Sequence, residues 1–313
     1  MLNLKEKGFY KGINLGGWFS QCDYSTERMN HFITEEDLSI IAGWGADHVR
    51  IPVDYNVLES ENGFARIDNV VNWCKKYHLH IVLDLHKTAG FSFDTYSENE
   101  KGFFENEAYQ ERFYQLWERI AERYGNQPET IAFELLNEVT EKDYLPAWNA
   151  IVQKCIQRIR RFAPDTLVFV GSYWNNSAQA VKDLDAPYDD KVVYNMHCYE
   201  PLKFTHQGAY WTDAVRPEER YSFAESNFTE QDFEQLFSSA IEKAKEHHTA
   251  LYCGEYGVID RVNPEDTVKW FRTIHNVFEK YGIARCAWTY KEMDFGISDS
   301  RLNIAREEIL KNL

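Results

Sequence analysis

The sequence predicts an α/β protein, a single (β/α)8 TIM barrel spanning residues 1–313. Three observations carry this. Eight short apolar runs recur along the chain, longer amphipathic runs alternate with them, and no phosphate-cradling glycine loop supports the competing doubly wound sheet. The short runs lie near 12–17, 47–53, 79–85, 131–137, 166–171, 192–198, 249–255 and 284–290. They are rich in Val, Ile, Leu and aromatic residues, and several are apolar at consecutive positions, as parallel strands buried on both faces are.

The intervening segments carry helix signals. Thr34 is placed to cap a helix running to about Trp44, opened by Glu35, Glu36 and Asp37. Phe113, Leu116, Trp117, Ile120 and Tyr124 recur at helical spacing and stop at Gly125. Ile151, Cys155 and Ile159 mark the next helix, which ends before Pro164. Thr229 precedes a run with Phe233, Leu236, Phe237 and Ile241 on one face, and Pro264 opens another that passes Val268, Phe271 and Val277 to reach Gly282. Two connections, about 87–106 and 200–228, are long. Long strand-to-helix loops of a barrel gather on its C-terminal face, where such folds build their sites.

Composition narrows the partners. The chain of 313 residues has 34 basic and 50 acidic residues, a net charge of −16, which repels nucleic acid and anionic membranes alike. No apolar stretch is long enough to span a membrane. No signal-peptide pattern opens the chain, so as written it is expected to be cytoplasmic, or secreted if a signal has been removed. A monomer is the expected state. Aromatic residues make up 15%, which suits stacking on the apolar faces of sugar rings, although filling a large core accounts for most of them. Cys22, Cys74, Cys155, Cys198, Cys253 and Cys286 form no zinc-type cluster and read as buried thiols. No metal and no cofactor are expected.

In a barrel, polar residues at the C-terminal strand ends share one pocket. Those ends give Arg50, His86, Asn137, Glu138, His197, Tyr199, Glu255 and Trp288. Glu138 and Glu255 come from strands on opposite sides. A carboxyl pair about 5–5.5 Å apart can cleave a glycosidic bond with retention, one group attacking the anomeric carbon and the other protonating the leaving oxygen. Glu255 is assigned the attack and Glu138 the proton. Arg50 can hold Glu255 ionised and Tyr199 can donate to it, Asn137 can reach the sugar 2-hydroxyl, and His86 and His197 can bind hydroxyls or tune Glu138. Repulsion from Glu255 is expected to raise the Glu138 pKa until Glu255 is esterified. Trp288 can floor the cleaved sugar's subsite. Either glutamate alone could equally be a surface residue at a strand end. Both together with the other polar ends are hard to explain that way.

These residues resemble glycoside hydrolase family 5 of the clan A barrels. The resemblance runs from Gly12-Ile13-Asn14-Leu15-Gly16-Gly17-Trp18 to about Phe295. It passes through His48-Val49-Arg50-Ile51-Pro52, Leu83-Asp84-Leu85-His86, Phe133-Glu134-Leu135-Leu136-Asn137-Glu138 and His197-Cys198-Tyr199-Glu200-Pro201. Thr205-His206-Gln207-Gly208-Ala209, Tyr252-Cys253-Gly254-Glu255-Tyr256-Gly257 and Ala287-Trp288-Thr289-Tyr290-Lys291 complete it. The resemblance implies a retaining mechanism and the eight strand-end residues as the active-site set. It is nearest to compact bacterial endoglucanases, subfamily 37, that cut β-1,4-linked and mixed-linkage β-glucans. Two positions depart from the pattern. Val139 stands where a proline commonly follows the acid, which is expected to shift a loop. Lys87 follows His86 where a second His or a small residue is common. Trp174 and Trp211 are the expected sugar platforms, with Trp18, Tyr210, His206 and Gln207 as further cleft candidates, and loop packing as the alternative for all six. Other functions on the same residues are a mannanase, xyloglucanase or transglycosylase, a non-catalytic sugar-binding barrel, or a metal-dependent hydrolase using His86 and His197.

Overall fold

A computed structural model describes residues 2–94 and 100–313; part of the long 87–106 connection therefore lies outside the described residues. Eight strands close a parallel barrel in sequence order. They are β1 Lys11–Asn14, β2 His48–Asp54, β3 His80–Lys87, β4 Ile131–Glu134, β5 Val168–Val170, β6 Val192–Cys198, β7 Leu251–Tyr256 and β8 Ala284–Ala287. Each expected run holds one strand. Several strands stop short of the predicted end: β1 ends at Asn14, β4 at Glu134 and β8 at Ala287. After β4 ends at Glu134, the chain stays bonded to its neighbours through Leu135 N–H to Phe169 O (3.2 Å) and Asn137 N–H to Leu85 O (3.1 Å).

The strand interior changes character from bottom to top. At the N-terminal end, Leu4, Phe9 and Tyr10 plug the barrel against Val82, Ala132, Phe169, Val193 and Tyr252. Toward the C-terminal end the inward residues become Asn14, Arg50, Glu134 and Asn195, all fully buried. Buried polar groups need partners, so an interior this polar already marks the working end. A second, larger apolar layer lies between the barrel and its helices.

The helices begin where their caps predict. Thr34 and Thr229 each form a capping box, with Asp37 and Asp232 reaching back to the cap. Asn263 Oδ1 accepts from Asp266 N–H at 2.9 Å ahead of the helix opened by Pro264. That helix ends on Gly282 at φ 66°, a left-handed stop that glycine adopts without strain. The helix Gly63–Lys76, which buries Ile67, Val70 and Cys74, is not among the helices singled out from the sequence. Between β5 and β6 the barrel has only a short 3-10 segment, Ala178–Asp183, because residues 173–176 are spent on a tight turn at the rim.

Helix Glu107–Tyr124 is tied to the rim by Trp117, whose buried indole N–H donates to Leu135 O at 3.1 Å, three residues before Glu138. Trp117→Phe leaves that carbonyl unpaired in a dry interior. A loss of about 1–3 kcal/mol is expected, read as a lower urea midpoint with an unchanged slope.

Candidate active site

Arg50 organises the floor of the site. It is fully buried and faces three carboxylates. Its Nε donates to Glu134 Oε2 at 2.7 Å and its Nη2 to Glu134 Oε1 at 2.8 Å, a bidentate pair. The Nη1 donates to Glu255 Oε1 at 2.8 Å and to Asn14 Oδ1 at 2.9 Å. The Nη2 also reaches Asn137 Oδ1 at 2.9 Å and Asp84 Oδ2 at 3.0 Å. Asn137 therefore has its amide oxygen committed, which leaves Nδ2–H as the free donor.

Glu255 is set by a bulge in β7. Met196 pairs with Cys253 but His197 pairs with Glu255, so Gly254 is the extra residue. A Cβ on Gly254 would come within 2.8 Å of Asn195 Oδ1 and 3.1 Å of His197 Nε2, so the interior has room for glycine alone. Tyr199 Oη donates to Glu255 Oε2 at 2.8 Å, completing the pair of donors on this carboxylate. Burial pushes the Glu255 pKa up, against the pull of His197 and Arg50. Arg50 thus favours the ionised form as expected, without overcoming the cost of burial.

Glu138 lies across the pocket at φ 43°. His197 Nδ1 is 2.8 Å from its Oε1, and Asn175 Nδ2 donates to its Oε2 at 3.1 Å. Its pKa is raised, and the main cause is burial. This corrects the expectation that repulsion from Glu255 raises it: the site is dry enough for desolvation to lead, and the repulsion within the pair bears on Glu255 instead. One oxygen from each glutamate and a nitrogen of His197 lie within 4.8 Å of one another. Facing atoms this close suit the retaining geometry, in which the two carboxyl groups lie about 5–5.5 Å apart. The same three atoms meet the spacing of a cation site. Both Glu255 oxygens, however, are held by Arg50 and Tyr199, and a guanidinium 2.8 Å away opposes a second cation.

The remaining predicted residues divide into cleft walls and packing. His86 Nδ1 is 2.6 Å from Asp84 Oδ2, which fixes its ring, and it lies parallel to Trp288 with centroids 6.0 Å apart. Phe93 meets the His86 ring edge-on at 5.0 Å. Trp174 is 52% exposed beside Asn175. Trp211 is half-buried, leaning on His206 and Phe295, and His206 in turn packs on Tyr199. Tyr210 is 76% exposed. Two cleft candidates are corrected. Trp18 is buried, stacked on Phe19, with its indole N–H donated to Met29 O at 3.0 Å; it belongs to the core. Gln207 spends its amide on Phe204 O, Tyr221 O and Tyr221 N–H, so it ties its loop together. Lys87 is 3.9 Å from both Asp54 and Glu100 and sits over Tyr24, a charged peg at the base of the β3 loop. Val139 is buried, and its carbonyl accepts from Asn175 N–H at 3.0 Å.

Sequence reading missed Asn14, Asp84, Glu134, Asn175 and Asn176. Asn14, Asp84 and Glu134 stood inside the quoted motifs, and their inward strand register was the signal available. Asn175 and Asn176 follow β5 as a pair, a residue type that tolerates left-handed backbone.

Comparison with known proteins agrees with this geometry. The family model described as cellulase (glycosyl hydrolase family 5) matches residues 11–294. Cellodextrinase A of Ruminococcus flavefaciens is 57% identical, covering 92% of this chain and 88% of its own length. Endoglucanase C of Acetivibrio thermocellus is 38% identical over 96% of both. Among solved structures, endoglucanase Cel5A from the hyperthermophilic Thermotoga maritima superposes with a TM-score of 0.84 at 25% identity over the whole of both chains. Among the described residues, no helix is long and apolar enough to cross a membrane. Matched by the family model over most of its length and by a close relative over nearly all of it, this chain belongs to glycosyl hydrolase family 5.

Proposed function

We propose that this glycoside hydrolase is a retaining endo-β-1,4-glucanase, acting on β-1,4-linked and mixed-linkage glucans by double displacement. The observation that carries the mechanism is the pair Glu138 and Glu255, with facing atoms within 4.8 Å. Glu255 attacks the anomeric carbon, with Arg50 and Tyr199 fixing both of its oxygens. Glu138, raised by burial, delivers its proton to the glycosidic oxygen as that bond breaks. The products are a glycosyl ester on Glu255 and the departing saccharide with a free hydroxyl. Glu138, now a carboxylate, takes a proton from water, and the resulting hydroxide displaces Glu255 to give the β-anomer. Asn137 Nδ2–H is placed to bond the 2-hydroxyl, Trp288 floors the cleaved sugar, His86 offers Nε2 to a hydroxyl, and Trp174 and Trp211 are sugar platforms. The enzyme acts as a monomer, the Glu138 and Glu255 pair being complete within one barrel.

A second reading is favoured by the 57% identity to a protein named cellodextrinase: short cello-oligosaccharides in place of polymer. One experiment separates the two and tests both. Reducing-sugar release is measured on carboxymethyl cellulose, barley β-glucan, lichenan, glucomannan and xylan, and on cello-oligosaccharides of three to six units, with Glu255→Gln alongside. Release from the glucan polymers that is absent in the variant and unaffected by a chelator is expected. Release from the oligosaccharides alone would replace the endoglucanase by the cellodextrinase. Silence on every glucan would overturn both.

A further inference from the structure

The rim turn after β5 is built in an unusual way. Trp174, Asn175 and Asn176 have φ of 52°, 55° and 56° in succession. Left-handed backbone is unfavourable for residues with a Cβ, and it persists where the surroundings hold it. Here the turn hangs from the two residues that follow Glu138. Trp174 N–H donates to Thr140 O at 3.1 Å and Asn175 N–H to Val139 O at 3.0 Å. The result is that two consecutive side chains act on one carboxyl, Asn175 directly and Asn176 through His197. Asn175 Nδ2 meets Glu138 Oε2 at 3.1 Å. Asn176 Nδ2, 3.3 Å from His197 Nε2, orients the ring whose Nδ1 lies 2.8 Å from Glu138 Oε1. Asn176 is fully buried against Gly171, where a Cβ would fall 2.1 Å from its Oδ1.

We propose that Asn175 is a positioning residue for Glu138: presented by the left-handed turn, its amide donor orients the carboxyl and favours the ionised form that activates water in the second half-reaction. This rests on the assignment of Glu138 as acid/base given above. An amide Nδ2 can only donate, and a donor on a carboxylate oxygen favours the charge. Burial is the larger influence and raises the Glu138 pKa, and the Asn175 bond is the leading pull downward, ahead of His86 and Arg50. The other charged or titratable groups facing Glu138 are Asp84 and Asp94 from β3 and its loop, His197 from β6, Tyr199 just beyond it, and Glu255 from β7. Because Asn175 is uncharged, it adjusts the balance at every pH without titrating itself.

The test is the pH dependence of kcat/KM on cellotetraose for wild type, Asn175→Gly and Asn175→Asp. Glycine takes φ 55° without strain and keeps the backbone bond to Val139, so the turn survives. Aspartate keeps the shape and sets a second negative charge beside Oε2. The basic limb reports loss of the Glu138 proton. Removing a donor raises that pKa, so the limb is expected to move up by about half to one pH unit in Asn175→Gly, and further in Asn175→Asp. Limbs that coincide in all three proteins would overturn the proposal. Glu138→Gln is assayed in parallel. Full activity there would show that Glu138 itself was misassigned, whereas an inactive Glu138→Gln with coincident limbs would remove the role of Asn175 alone.

Discussion

Glu255→Gln is expected to fold normally and to lose turnover of its glucan substrate by about 10⁴-fold or more, the scale seen when a nucleophile is removed. The amide oxygen of glutamine can still accept from Arg50 Nη1, which lies 2.8 Å from Glu255 Oε1. Its NH2 group would face Tyr199, whose hydroxyl can turn to accept in place of the donation it makes at 2.8 Å. No buried group is stranded, so urea unfolding should stay close to that of wild type. What is lost is chemical, since a neutral amide is too weak a nucleophile to form the ester. Glu255→Gly opens space for a small anion at the same place. Azide should then restore turnover of an activated aryl cellobioside and give the α-glycosyl azide, the product of one inversion in place of two. Wild-type rates in Glu255→Gln would remove Glu255 from the mechanism.

Glu138→Gln has the second largest expected effect, and a selective one. On cello-oligosaccharides the leaving oxygen needs a proton, and a loss of about 10²–10⁴-fold in kcat/KM is expected. An aryl glycoside with a good leaving group departs unaided, so its kcat/KM should fall far less, while its kcat drops because water is no longer activated. Equal losses on both substrates would contradict the role. Stability should respond in the opposite sense. Burial raises the folded-state pKa of Glu138 above its unfolded value. The native state therefore holds this proton where the unfolded chain has released it. The stability tied to it is full below the unfolded pKa, about 4.3, and is lost as pH rises through the folded value. Glu138→Gln removes that term, so the variant should resist urea at least as well as wild type at neutral pH.

Much of the fold was legible because parallel strands buried on both faces read as plain apolar runs. Cap residues such as Thr34, Thr229 and Pro264 fixed the helix starts through local chemistry that the sequence states directly. The active-site set was legible for a related reason: Arg50, His86, Asn137, Glu138, His197, Tyr199, Glu255 and Trp288 are polar or aromatic interruptions at strand ends, and the barrel brings such ends together. What escaped depends on register and dihedral angle. Glu134 reads as one more residue of a strand, yet its inward register makes it the bidentate partner of Arg50. The bulge that turns Glu255 toward the pocket depends on the space around Gly254, which only the packed structure reveals. Asn175 acts from a left-handed turn that no periodicity announces. Trp18 and Trp174 are the same residue type near the same rim. Burial alone sends one to the core and the other to solvent.

Trapping the intermediate tests the double displacement at Glu255 most directly. A 2-deoxy-2-fluoro-β-cellobioside with an activated leaving group slows both steps, and the good leaving group spares the first, so the ester accumulates. The intact enzyme should gain the mass of one fluorocellobiosyl group, and proteolysis should locate it on the peptide carrying Glu255, with no label in Glu255→Gln. A label on any other residue, or unlabelled enzyme that nonetheless turns over glucan with retention, would contradict the double displacement at Glu255.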